Sequence, residues 1–341
     1  MSSLTIALDT MGGDRGPSIV VAALERALQS FPTINFLLFG DQAELLPLLK
    51  KHQLLKHPRI QLEHTNEVIE MTDKPGQCIR SKPKASMRLA VESVAEERAQ
   101  ACVSAGNTGA LMALSYLKLK TIAGVIRPAL VAPLPNQDES QSLLLDLGAN
   151  PSCDAETLFQ FGVMGSVLAE EIGGKVNPRV ALLNMGVEEI KGHDTVRQAA
   201  ALLKASSHVN YIGFVEGNDI FSGKADVIVC DGFSGNVALK SCEGMAKLLY
   251  DNFERTFKGH WFSRLLAWVL YKRFKKSWQW LNPDQYNGAT LLGLRGVVVK
   301  SHGNASAQGF YSAIRQAVRE AQEHLPSRVH NRIESALIEH D

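Results

Sequence analysis

The chain has 341 residues, 45% of them hydrophobic and 21% charged, with 36 Lys and Arg against 35 Asp and Glu. That length buries a large core, and the ordinary composition suits a globular protein. A net charge of +1 argues against nucleic acid as the main partner and confines any basic function to local patches.

Short apolar runs predict strands at 5–8, 35–39, 59–63, 101–104, 129–132, 143–147, 180–184, 210–215, 227–230 and 297–300. Helical patterns alternate with them at 18–30, 42–51, 85–97, 108–119, 155–172, 194–205, 235–257 and 305–324. The alternation predicts an α/β fold with a largely parallel sheet covered on both faces. No linker or fixed-period repeat divides it, so 1–341 reads as one α/β unit, with or without two interleaved lobes. No stretch approaches the roughly 20 uncharged apolar residues that cross a bilayer. Met1 to Asp9 lacks a basic region and a long apolar run, so no signal peptide is expected. The five cysteines (Cys78, Cys102, Cys153, Cys230, Cys242) form no CxxC pair and fit reduced thiols of a cytosolic protein.

Several strands break into glycine- and asparagine-rich turns. Ser104-Ala105-Gly106-Asn107-Thr108-Gly109 follows 101–103, and Asp231-Gly232-Phe233-Ser234-Gly235-Asn236 follows 227–230. Ser301-His302-Gly303-Asn304 ends the last strand, Gly148-Ala149-Asn150 follows 143–147, and Gly217-Asn218 follows 210–215. Asp9-Thr10-Met11-Gly12-Gly13-Asp14 is a strand-to-helix turn at the front of the chain. Glycine admits close backbone approach, and a turn that opens a helix favours an anion. Together the turns predict one crevice lined with anion-binding groups; each is also readable as a capped turn and nothing more.

Familiar fingerprints are missing. There is no GxGxxG after a strand and no GxxxxGK[ST], and the 232–236 segment fails GxSxG at its last position. The ten histidines form no HExxH or short metal-binding pair. Covalent catalysis is not indicated, and neither a metal nor a nucleotide cofactor is expected.

Lys191, in Val187-Glu188-Glu189-Ile190-Lys191-Gly192 beyond the 180–184 strand, is either a phosphate-neutralising point charge or a surface lysine. Ser234 and Asn236 either cap a helix or, for Asn236, donate to a developing oxyanion. Lys74, Arg80, Lys82, Lys84 and Arg88 follow one another with no acid after Asp73, as a solvated face or a dock for an acidic partner. All four tryptophans (Trp261, Trp268, Trp278, Trp280) fall in 255–281, among Phe262, Leu265, Leu266, Val269 and seven basic residues. This tract reads as a helical excursion whose Trp261, Phe262, Leu265, Leu266, Trp268 and Val269 contact an anionic membrane surface, or as a dimerisation or substrate-cover helix.

These blocks, with Ile6-Ala7-Leu8 before Asp9, 146–150, 186–192, 213–219, Tyr286-Asn287-Gly288-Ala289 and Ala305 after Asn304, cover nearly the whole chain in order. In them the chain resembles the bacterial phosphate acyltransferases of the PlsX family, acyl-[acyl-carrier-protein]:phosphate transacylases. The resemblance implies a three-layer α/β/α fold like that of isocitrate and isopropylmalate dehydrogenases, and a homodimer. It implies transfer of a fatty acyl group from acyl-carrier protein to inorganic phosphate at the start of phospholipid synthesis. It also implies a cytoplasmic enzyme at the inner face of the membrane, handing its product to a downstream membrane acyltransferase. Lys191 and Asn236 match the positions to which the family's catalysis is ascribed. The expected substrate- and phosphate-binding set is Asp9, Gly12, Gly13, Asp14, Gly106, Asn107, Thr108, Gly109, Asn150, Asn218, Asp231, Ser234, His302 and Asn304, with Arg80, Lys82, Lys84 and Arg88 toward the carrier protein.

Overall fold

The computed structural model describes residues 4–258 and 282–340. Among them, eleven strands form one sheet: β1 (Thr5–Asp9), β2 (Asn35–Gly40), β3 (Ile60–His64), β4 (Ala101–Ser104), β5 (Ala129–Pro135), β6 (Gln141–Leu145), β7 (Arg179–Leu183), β8 (Asn210–Val215), β9 (Val227–Val229), β10 (Ala289–Leu292) and β11 (Val297–Lys300). Their spatial order is β3-β2-β1-β4-β11-β10-β5-β6-β9-β7-β8. The helices are α1 (Pro17–Ser30), α2 (Gln42–Lys51), α3 (Pro75–Ser81), α4 (Ser86–Ala95), α5 (Thr108–Leu119), α6 (Ala155–Glu171), α7 (Asp194–Ala205), α8 (Gly232–Lys258), α9 (Ala307–Gln322) and α10 (Leu325–His340).

The expected strands and helices are present, but the sheet is mixed. β10 runs antiparallel to β11 and β5, and β5 antiparallel to β6; the remaining pairings are parallel. β6, β9, β7 and β8 therefore run opposite to β1–β4 and β11. Their C-terminal ends open on opposite edges of the sheet.

Successive strand residues face opposite sides. Ile6, Leu8, Phe36, Leu38, Val297 and Val299 join the core of α1, α2 and α9, while Ala7, Leu37, Phe39, Cys102 and Val298 join that of α4 and α5. In the other half, Val180, Leu182, Val227 and Val229 pack with α6, α7 and α10; Ala181 and Ile228 share a cluster with Ala238 and Leu239 of α8. Both faces are covered, giving the three layers. No described helix is long and apolar enough to cross a membrane. The tract holding Trp261, Phe262, Leu265, Leu266, Trp268 and Val269 lies outside the described residues.

One core group is at odds with its surroundings. Glu320 of α9 is fully buried; Thr290 and Gln316 hydrogen-bond its Oε1, while Oε2 has no partner among the described residues. Burial pushes its pKa up to about 7. A folded-state pKa above the unfolded value near 4.5 means stability is fullest below that value and falls as pH rises toward 7. Glu320→Gln removes the ionisation. It is expected to raise the melting temperature at pH 8 and to flatten the decline between pH 5 and pH 8, measured by thermal unfolding. An unchanged pH profile would contradict this reading.

Candidate active site

Two buried aspartates organise the two sets of strand ends. Asp9, last residue of β1, is 0% exposed. Its Oδ1 accepts from Ser86 Oγ (2.7 Å), Gly12 N (3.2 Å) and Met11 N (3.3 Å), and its Oδ2 from Ser104 Oγ (2.6 Å). Burial raises its pKa against the pull of these hydrogen bonds. Asp146, beyond β6, is also 0% exposed. It accepts from the backbone N–H groups of Leu130, Gly148, Ala149 and Asn150 and from Asn150 Nδ2, at 2.7–3.2 Å. Burial again raises the pKa, and the donors oppose it.

The first cluster gathers most of the expected phosphate-binding residues. Gly12 gives its N–H to Asp9, and a side chain there would meet Gly106 N at 2.7 Å. Gly13 has φ of +92°, and a Cβ on it would sit 2.9 Å from Gly303 O. Glycine is required because two backbone turns touch. Gly106 N donates to Ser104 Oγ (3.1 Å), and Asp14 N to Gly303 O (2.8 Å). Asn107 caps α5 by accepting from Ala110 N (3.0 Å), while its Nδ2 holds Met71 O and Asp73 O, both at 3.0 Å. Thr108 and Gly109 form the first turn of that helix. His302 accepts from Asn304 N through Nδ1 (3.2 Å), and Asn304 Oδ1 accepts from Arg15 Nε (2.9 Å).

The second cluster lies at the ends of β6, β9, β7 and β8. Asn150 donates Nδ2 to Pro128 O (2.7 Å), and its own carbonyl takes Gly232 N (2.8 Å). Asp231 caps α8, accepting from Ser234 N (2.9 Å) and Ser234 Oγ (3.0 Å). Asn236, exposed in the first turn of α8, stands over Gly148. Lys191 is exposed in the loop after β7, its carbonyl held by Asn184 Nδ2 (3.1 Å). The side chains of Lys191 and Asn236 have no hydrogen-bond partner among the described residues, so both stay available to a ligand. β7 and β9 are neighbours, so the loop that carries Lys191 and the helix that carries Asn236 leave adjacent strand ends. Asn218 is exposed beyond β8, in a short 3₁₀ turn (Gly217–Asp219).

The basic run is less free than its sequence. Lys82 pairs with Asp73 (2.6 Å) and Arg88 with Glu92 (2.9 Å), leaving Lys74, Arg80 and Lys84 exposed. The five cysteines are free, and burial holds each thiol above its ordinary pKa, Cys153 at about 12. A thiol at that pKa is not a ready nucleophile. No three His, Cys, Asp or Glu among the described residues are grouped to hold a metal ion.

The expected site set did not include Ser86, Ser104, Asp146 or Lys300. Lys300 carries the clearest signal, a lysine closing an apolar strand run in which every residue is buried.

The fatty acid synthesis protein family matches residues 4–328. A phosphate acyltransferase of Idiomarina loihiensis is 58% identical, and one of Shewanella baltica 52% identical, each over 99% of both chains. The chain belongs to this family of phosphate acyltransferases. A phosphotransacetylase of Streptococcus pyogenes has a similar fold (TM-score 0.63, 17% identity, 94% of each chain covered). So does a phosphotransacetylase of Staphylococcus aureus (TM-score 0.59, 17% identity, 94% of each chain covered). The enzyme's chemistry is acyl transfer to phosphate, which calls for oxyanion donors and a held anion rather than a metal-assembled nucleophile.

The aspartates are structural anchors with a measurable worth. Asp9→Ala strands two hydroxyls and two N–H groups in the interior, each costing about 1–3 kcal/mol. Urea unfolding is expected to show a loss of at least about 3 kcal/mol for Asp9→Ala, and at least as large a loss for Asp146→Ala. Losses below about 1 kcal/mol would contradict the anchoring role.

Proposed function

We propose that the enzyme transfers a long-chain fatty acyl group from an acyl-carrier-protein thioester to inorganic phosphate, releasing acyl phosphate and the carrier thiol. The observation that supports this reading is that Lys191 and Asn236, with uncommitted side chains, lie on segments leaving adjacent strands, in a chain whose curated relatives are named phosphate acyltransferase. Phosphate is already an oxyanion at neutral pH, so its oxygen attacks the thioester carbon without a strong base. The carbonyl oxygen takes up charge as the new C–O bond forms, and Asn236 Nδ2 donates to it. One such donor is worth about 2.7–4 kcal/mol where it has been removed from other enzymes. The intermediate collapses with cleavage of the C–S bond, and the thiolate leaves. Lys191 offsets the phosphate charge and orients it.

The test is incubation of the protein with palmitoyl-acyl-carrier protein, with and without phosphate, following free thiol and acyl phosphate. Release of both only with phosphate is expected. Lys191→Ala and Asn236→Ala are each expected to lower turnover at least about tenfold, roughly 1.4 kcal/mol, with unchanged melting temperatures. Acceptance of acetyl-CoA in place of the carrier substrate would favour a soluble phosphotransacylase, and full activity in both variants would overturn the residue roles.

The same reading has a homodimer contact the inner membrane face through the 255–281 tract and deliver acyl phosphate to a membrane acyltransferase; sequence alone supports it. Replacing Leu265, Leu266 and Trp268 with serine is expected to abolish binding to anionic liposomes while sparing turnover on soluble substrate. Unchanged liposome binding would assign the tract to a buried or dimeric role.

A further inference from the structure

β3 ends at His64 and α4 begins at Ser86, and the connection between them carries only the short helix α3. A connection of that length in a compact fold is uncommon and is often a binding loop. This one is pinned along its course. Its two ends are tied together: Thr65 Oγ1 donates to Lys84 O (2.5 Å), Lys84 N to Glu67 Oε2 (2.8 Å) and Ser86 N to Glu67 O (3.1 Å). Further in, Lys82 Nζ donates to Val68 O (2.7 Å) and Asp73 Oδ2 (2.6 Å), and Arg88 Nη1 of α4 donates to Ile79 O (3.0 Å). The segment is a fixed strap.

Its middle crosses the Asp9 turn cluster. Asn107 caps α5 with Oδ1 and holds Met71 O and Asp73 O with Nδ2, at 3.0 Å each. A Cβ on Gly109 would meet Pro75 Cγ at 2.9 Å, and one on Gly303 would meet Met71 Cε at 3.1 Å. The strap therefore lies across the first turn of α5 and reaches the Gly303 turn. It forms a rim of the turns expected to bind phosphate.

The charges on the strap are divided along its length. Its carboxylates, Glu67, Glu70 and Asp73, come first, and no carboxylate follows from Lys74 to Lys84. Glu67 takes Lys84 N, Asp73 takes Lys82 and Glu70 N, and Glu70 is exposed. Lys82 is spent inside the strap, while Lys74, Arg80 and Lys84 are exposed with no ion-pair partner among the described residues. On a loose loop such cations are an ordinary solvated face. Here the pinning presents them at a fixed place beside the turn cluster, which suits recognition of an opposite charge.

We propose that the strap, held in place by Asn107, is the docking surface for the carrier protein of the acyl donor, with Lys74, Arg80 and Lys84 meeting an acidic face of that protein. This rests on the carrier-dependent reading above and names the surface that serves it. It also removes Lys82 and Arg88 from the expected docking set, because their charges are spent inside the fold.

The experiment measures binding of fluorescently labelled holo-acyl-carrier protein, which carries no acyl group and undergoes no turnover. Wild type is compared with Lys74→Gln, Arg80→Gln and Lys84→Gln combined in one variant. The control combines Lys50→Gln, Lys51→Gln and Lys56→Gln, the same loss of charge at exposed lysines on and just after α2, on the opposite face of the sheet. The strap variant is expected to bind about tenfold more weakly, the sum of three rim charges. Its affinity is expected to depend less on salt. Its KM for palmitoyl-acyl-carrier protein is expected to rise by the same factor, with phosphate KM and melting temperature unchanged. The control is expected to bind as wild type does. Asn107→Ser keeps a capping oxygen for α5 but loses the amide that holds the strap. It is expected to weaken carrier binding about threefold or more, the worth of an ordinary hydrogen bond. Wild-type affinity in the strap variant, an equal loss in the control, or wild-type affinity in Asn107→Ser would overturn the proposal. So would loss of binding to phosphatidylglycerol vesicles in the strap variant with carrier binding intact, which would assign the cations to a membrane. Absence of phosphate-dependent thiol release in wild type would remove the transacylase reading, while carrier binding would still report on the strap.

Discussion

The arrangement depends on two carboxylates placed where strands end. Asp9 and Asp146 are each sealed from water and each surrounded by N–H and O–H donors from the turn that follows it. A buried carboxylate without donors is very unfavourable, so each aspartate dictates the path of its turn. The Asp9 turn presses against Gly106 and Gly303, and the Asp146 turn holds Asn150, which in turn receives the first N–H of α8. That contact holds the start of α8, four residues before Asn236.

The turns that the sequence predicts as one crevice fall into two clusters, at opposite edges of the sheet, and the same constraint sorts the polar groups of each. Glycine N–H groups that look free in the sequence, such as those of Gly12 and Gly106, are turned inward onto Asp9 and Ser104. Asn107, Asn150, Asp231 and Ser234 spend their side chains on caps and turns. Lys191 and Asn236 stand outside these networks. A reaction between two anionic or polar partners needs such a division, with a rigid floor that fixes geometry and a few uncommitted donors above it.

The α/β alternation was legible because strands covered on both faces are continuous apolar runs separated by helical patterns. β10 was not, since Ala-Thr-Leu-Leu is too short to stand out, and with it went the reversal of half the sheet. α3 begins at Pro75, and α10 carries Pro326 near its start amid polar residues, so neither shows a strong apolar period. At the site, the turns containing Gly12, Gly106, Asn150 and Asn236 were found because glycine and asparagine mark them locally. Asp146 and Lys300 owe their character to burial and to partners far away in sequence, Leu130 for one and Ala105 for the other. The same distance effect hides the pairing of Lys118 with Glu92, whereas Arg88 lies one helical turn from that glutamate.

The central claim is that phosphate itself attacks the acyl carbon. Turnover of palmitoyl-acyl-carrier protein with phosphate carrying oxygen-18 at every oxygen, followed by mass spectrometry of the product, tests it directly. The account predicts acyl phosphate that keeps all the labelled oxygens, because no P–O bond breaks. Free fatty acid without labelled acyl phosphate would contradict it.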